Sequence, residues 1–225
     1  MKVPVTHLKK QELIYLGTHR CKAHGHTYLE HYNCFLTEQG GSPERIGFFD
    51  IETSNLNANF GVILCWSIKE LNGKIKSAVL SSKDFARKDG FKIDKRIIKE
   101  LLAEMKRYDR IVTHYGRKFD FPFLRTRALI CGLKFPEFGT IVNDDTWYMA
   151  RYKLKLNSSR LDVIARAILG KTEKTHLDGK VWVGAARGNR KYLNYILKHN
   201  QADVRDLEKV WLKLKNFVGR RHTSI

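Results

Sequence analysis

From residue 45 onward the chain alternates short, continuous apolar runs with stretches whose apolar positions recur at helical spacing. RIGFFDIE and FGVILCWSIKEL are strand-like runs, and KIKSAVLSS follows across Asn72-Gly73; two β-rich runs joined by Asn-Gly predict a hairpin. In DKRIIKELLAEMKRY the apolar residues at 97, 98, 101, 102 and 105 share one helical face. DRIVTHY reads as a brief strand and DFPFLRTRALICGL as a helix. FGTIVNDD is a further strand, ending on Asp144 or Asp145, either of which can cap the helix DTWYMARY. SSRLDVIARAILG opens on a serine cap and stops at Gly170, and the tail from about 190 to 218 is helical with its lysines outward. The order β-β-β-α-β-α-β-α-α predicts an α/β domain, a mixed sheet flanked by helices. A turn-rich break at Gly40-Gly41-Ser42-Pro43 sets a Cys/His-rich extension, residues 1–43, apart from the domain at 44–225.

Composition narrows the partners. A chain of 225 residues is long enough to bury its own core, and 43% hydrophobic residues with four prolines exclude disorder. No apolar run approaches the 18 or so residues that span a bilayer. The start, MKVPVTHLKKQELIYLGTH, has no apolar segment of the secretory kind, so the expected location is intracellular, in the cytoplasm or nucleoid. The formal net charge of +19 calls for a polyanionic partner, of which nucleic acid is the commonest. The excess is uneven: residues 151–225 hold 18 basic and 6 acidic side chains, making the last third the expected phosphate-tracking surface. Four cysteines without a secretory leader read as thiols or metal ligands, and Cys65 and Cys131 as core residues.

Three polar elements interrupt this apolar scheme. Asp50 and Glu52 in FFDIET lie two apart on a strand, so both side chains point to one side of the sheet. Two carboxylates there repel each other unless a cation, such as a divalent metal, neutralises them. Asp120 opens a helix after a strand and a glycine turn, among Phe119, Phe121 and Phe123, which suit either the core or a wedge for a terminal base. His199 and Asp203, four apart in HNQADV, share a helix face; Asp206 one turn on reads as surface.

FDIET, FDFPFLRTR and HNQADV, in that order, resemble the three exonuclease motifs of the DEDD superfamily of 3′–5′ exonucleases, which has a ribonuclease H-like fold. The likeness is closest to the proofreading domains of family B DNA polymerases and their stand-alone relatives, and covers about residues 45 to 215. It implies a 3′–5′ exonuclease that binds two Mg²⁺ or Mn²⁺ ions through Asp50, Glu52, Asp120 and Asp203, with Asp50 between them. His199 would accept the proton of the attacking water. Two positions depart from the family pattern: Tyr115 stands where Asn is usual, and His199 takes the spacing of a tyrosine. The implied substrate is a single-stranded 3′ end, DNA in preference to RNA, with a replication or repair protein as a further partner. Thr53, Phe119, Phe123, Lys171, Lys174, Arg187 and Arg190 are the expected nucleic-acid contacts, the last four in a loop long enough to reach substrate. The alternatives are a structure-selective endonuclease with the same metals, and a zinc-containing binding module without turnover.

The extension carries its own pattern. Cys21-x2-His24 and His31-x2-Cys34 form two pairs with knuckle-like spacing, a set that suits a closed structural zinc site, with His26 able to replace His24.

Overall fold

The computed structural model describes residues 10–21, 25–38, 44–86, 89–173 and 178–217, and the backbone of 223–224. The chain divides into two compact units, residues 1–44 and 45–225.

The first unit contains helices α1 (Lys10–Thr18) and α2 (Tyr32–Glu38), and an isolated antiparallel bridge joins Arg20 to Thr27 between them. Its buried apolar residues among those described are Leu16, Cys21, Tyr28 and Cys34, with Tyr32 and Phe35 packed against them. The Tyr28 hydroxyl donates to Glu38 Oε2 at 2.5 Å.

The second unit is a sheet with helices on both faces. Strands β1 (Ile46–Thr53), β2 (Ile63–Glu70) and β3 (Ile75–Val79) form an antiparallel meander. Asn72, at φ 54°, supplies the left-handed residue of the predicted hairpin turn. β4 (Arg110–Thr113) pairs parallel to β1, β5 (Val142–Asp145) parallel to β4, and β6 (Thr223–Ser224) antiparallel to β5, giving the order β3-β2-β1-β4-β5-β6. The helices are α3 (Ser82–Phe85), α4 (Lys95–Met105), α5 (Asp120–Ile130), α6 (Thr146–Lys153), α7 (Leu161–Leu169), α8 (Gly179–Ala186) and α9 (Arg190–Leu214).

Alternation along β1 builds two cores. Phe49 and Ile51 face a cluster with Ile97, Ile98 and Leu101 of α4 and Phe121 and Leu124 of α5. Phe48 and Ile46 face the opposite cluster, with Met149 of α6, Ile164 of α7 and Val204, Leu207 and Trp211 of α9. A strand covered on both faces reads as a continuous apolar run, which is why FF precedes the first acid. Asp94, at the head of α4, is fully buried and accepts from Ile63 N (3.0 Å) and from Arg127 Nε and Nη2 (2.9 and 2.7 Å), tying β2, α4 and α5 together.

Several expectations change. Ser158 does not cap α7; its Oγ accepts from Arg160 N (3.3 Å), and Arg160 holds the cap position without a side-chain bond. Asp145 caps α6 by accepting from Trp147 N, whereas Asp144 pairs with Arg110 (2.7 Å). Part of the stretch read as a loop is helical, as α8. Asp206 is buried, not surface, because it accepts from the Thr172 hydroxyl and the Glu173 amide. Cys65 and Cys131 are core residues, as read from the sequence. Among the described residues no helix is long and apolar enough to cross a membrane.

Candidate active site

Asp50 and Glu52 flank the buried Ile51 on β1, so strand periodicity sends both carboxylates into one cleft. The β1–β2 register shifts between Glu52 and Thr53, which ends regular pairing beside the second acid. Asp120 is the first residue of α5, and its Oδ1 accepts from Ile51 N at 3.1 Å, stitching the helix to the strand between the two acids. Burial pushes the Asp120 carboxyl up to about 7, and the nearby charge of Asp145 adds to this against the hydrogen bonds from Ile51 and its own amide.

The third contribution comes from α9. His199 Nε2 lies 3.6 Å from Asp203 Oδ2, both side chains being almost wholly buried. One donor atom each from Glu52, His199 and Asp203 falls within 4.8 Å of the others. Asn200, fully buried, donates from Nδ2 to Asp50 Oδ2 at 2.6 Å and so fixes the first acid from α9. Asp50, Glu52, Asp120, His199 and Asp203 therefore converge from β1, α5 and α9 on one cleft of about 730 Å³.

The opposite wall is the segment after β4. Tyr115 sits at φ 66°, a left-handed conformation that a bulky residue rarely adopts and that asparagine accepts more readily. At Gly116 any Cβ would meet Thr113 at 2.5 Å, so glycine is required there. Asp145 holds this turn by accepting from the amides of Tyr115 (2.8 Å) and Arg117 (3.1 Å), as well as from Trp147. The Thr146 hydroxyl donates to Thr113 O, so His114 Nδ1 donates to Thr146 Oγ1 (2.9 Å).

The expected nucleic-acid contacts divide. Phe119 lines the cleft. Phe123 does not: it is buried in the core, because its position on α5 lies on the inner helix face. Thr53 is buried outside the cleft lining and donates to Asn55 O at 2.8 Å, serving the turn after β1. Lys171, Arg187 and Arg190 are exposed but do not line the cleft. Lys174 and His24 lie outside the described residues. Instead, the cleft wall carries Arg160 and Arg166 with Asp162 between them, together with His114, Trp147 and Trp182. None of these was singled out from the sequence, nor was Asn200, although it sits inside the HNQAD motif itself.

A second group of donors lies in the first unit. One donor atom each from Cys21, His26 and Cys34 falls within 4.8 Å of the others. His31 Nδ1 is 3.0 Å from both Cys34 Sγ and His26 Nε2.

A mixed sheet with acids at the end of its central strand, completed from two helices, defines a DEDD exonuclease-like domain. Residues 47–215 match the RNase_H superfamily, and the chain belongs to that superfamily. Over 91 residues it is 35% identical to a DNA polymerase of Methanocaldococcus jannaschii, covering 38% of this chain and 5% of that protein. The fold is similar to that of the family B DNA polymerase from the hyperthermophilic archaeon Pyrobaculum calidifontis. The TM-score is 0.64 at 19% identity, over 79% of this chain and 25% of that one. The chain thus spans only a small part of the length of either relative.

Proposed function

We propose that the chain is a metal-dependent 3′–5′ exonuclease that removes nucleotides from single-stranded 3′ ends. The observation that carries this reading is the convergence of Asp50, Glu52, Asp120 and Asp203, with His199, in one cleft. Oxygen donors in this number suit hard divalent cations, and Asp120, its carboxyl raised by burial among other acids, is the kind of group a cation relieves. The four acids would hold two Mg²⁺ or Mn²⁺ ions. When bound, such ions lower the pKa of water and offset charge on the phosphate and on the leaving oxygen.

The chain's own residues would do the rest. His199 takes a proton from the attacking water at Nε2, the atom it turns toward Asp203. The water oxygen bonds to phosphorus, the bond from phosphorus to the 3′ oxygen of the preceding nucleotide breaks, and that oxygen takes up a proton from solvent. The product is a nucleoside 5′-monophosphate. Asn200 keeps Asp50 in place, and Arg160 and Arg166 on the cleft wall engage backbone phosphates without reading sequence. DNA is the favoured substrate because the relatives by sequence and by fold are both DNA polymerases.

The test is a 5′-labelled single-stranded DNA incubated with Mg²⁺ or Mn²⁺. A ladder shortening from the 3′ end, absent with Asp50→Ala and with chelator, supports the reading. Cleavage of a DNA circle would point to an endonuclease. Salt-sensitive binding to DNA and RNA with no turnover of either would overturn the enzymatic reading altogether.

A further inference from the structure

The first unit poses a stability problem that its apolar residues do not solve. Of its four buried apolar side chains among the described residues, two are cysteines, and the others are Leu16 and Tyr28. A segment of about 40 residues seldom folds on so little apolar area without a disulfide, a metal or a partner. The cysteines are also where the histidines converge. His31 Nδ1, His26 Nε2 and Cys34 Sγ form a triangle with sides of 3.0, 3.0 and 3.5 Å, and Cys21 places a donor within 4.8 Å of donors of His26 and Cys34. Zinc bonds of about 2.3 Å to sulfur and 2.0–2.1 Å to nitrogen place tetrahedral donors about 3.3–3.8 Å apart. The triangle is tighter than that spacing by up to about half an ångström, as donors drawn together without the ion between them would be.

We propose that Cys21, His26, His31 and Cys34 form a closed structural zinc site whose metal is the main fold-stabilising element of the first unit. The ligand from the Cys21 end is then His26, five residues on, and His24 is not used. The local backbone favours this choice. Cys21 N donates to His26 O (2.9 Å) and Gly25 N to Cys21 O (3.0 Å), a tight loop through Gly25 at φ 73° that brings residue 26 back beside residue 21. The Thr27 amide and hydroxyl both bond to Glu30, closing the turn that leads on to His31. Four protein donors leave no open position, so the role is structural and not catalytic. This inference does not depend on the exonuclease reading.

The experiment measures metal in the full-length chain purified without added zinc. About one zinc per chain should survive dialysis, and replacement by Co²⁺ should give the intense visible bands and thiolate charge-transfer absorption of a tetrahedral site with two sulfurs. His26→Ala and Cys34→Ala should lose the metal, and His24→Ala and Asp50→Ala should keep it. Because the first two can simply unfold the unit, His26→Cys serves as the conservative check: it should retain cobalt with the spectrum shifted toward three sulfurs. A metal-free wild type, a disulfide between Cys21 and Cys34 by thiol titration in denaturant, or an unshifted cobalt spectrum in His26→Cys would each overturn the assignment. So would loss of metal from His24→Ala.

Discussion

The two units of this chain differ in how much apolar surface their described residues bury. The second unit buries two large apolar clusters on either side of a sheet and can carry a cleft of carboxylates against that background. The first unit buries four apolar side chains among its described residues, and donors of Cys21, His26 and Cys34 lie close together in it. In one, apolar burial surrounds the donor cluster; in the other, the proposed zinc would supplement a small core. The lesson is that similar donor clusters have opposite meanings. An acid-rich group within a well-packed domain costs stability and points to turnover, whereas a Cys/His group in a segment with few buried apolar side chains would, with the proposed zinc, supply it.

This contrast can be broken by experiment. The largest effect should come from Asp50→Ala, which is expected to lower nuclease activity by about 10³-fold or more, about 4 kcal/mol of barrier, with no loss of thermal stability. Parallel rate and melting measurements check it; a variant that also unfolds would mean that the acids are structural. Next, Arg127→Met leaves Asp94 buried without its guanidinium and should destabilise the second unit by about 3–5 kcal/mol in denaturant titrations. Metal retained by the first unit should not change in that variant. Asn200→Ala removes the hydrogen bond that holds Asp50 and should reduce activity or metal affinity by about 10- to 100-fold, read by metal titration of the rate.

The smallest effect concerns pH. Burial raises the Asp84 carboxyl, but the Arg96 guanidinium and the Ser81 hydroxyl and amide outweigh it and hold the pKa at about 2. A carboxylate depressed on folding adds stability above its unfolded pKa of about 3.9, and that stability drains away as the pH falls toward 2. The amount is about 2 kcal/mol, so wild type and Asp84→Asn should differ in melting temperature at pH 7 and converge near pH 2.

The sequence made the order of strands and helices legible because apolar spacing switches cleanly between two periods, as between β3 and α4. It made the acids legible because carboxylates in an apolar strand have few bland explanations. Asp206 was not legible. α9 runs for 25 residues and crosses from one apolar cluster, at Leu193 and Ile196, to the other, at Val204 and Leu207. A helix buried on a drifting face gives no fixed polar side by which to sort its residues. α8 was missed because GKVWVGAA mixes glycine and valine with few of the strong helix formers. Arg160 and Arg166 were invisible for another reason: nothing local says that α7 flanks the cleft, which only tertiary packing brings about. Thr53 and Phe123 stand beside the acids in the sequence, yet their side chains face turn and core.

One carboxylate joins parts of the chain that sequence keeps well apart. Asp145 accepts from the amides of Tyr115, Arg117 and Trp147, two segments some thirty residues distant. Exchange of those three amides with deuterated solvent is expected to require that the same side chain let go. Their protection should therefore rise and fall together, marking the cleft wall as a single opening unit.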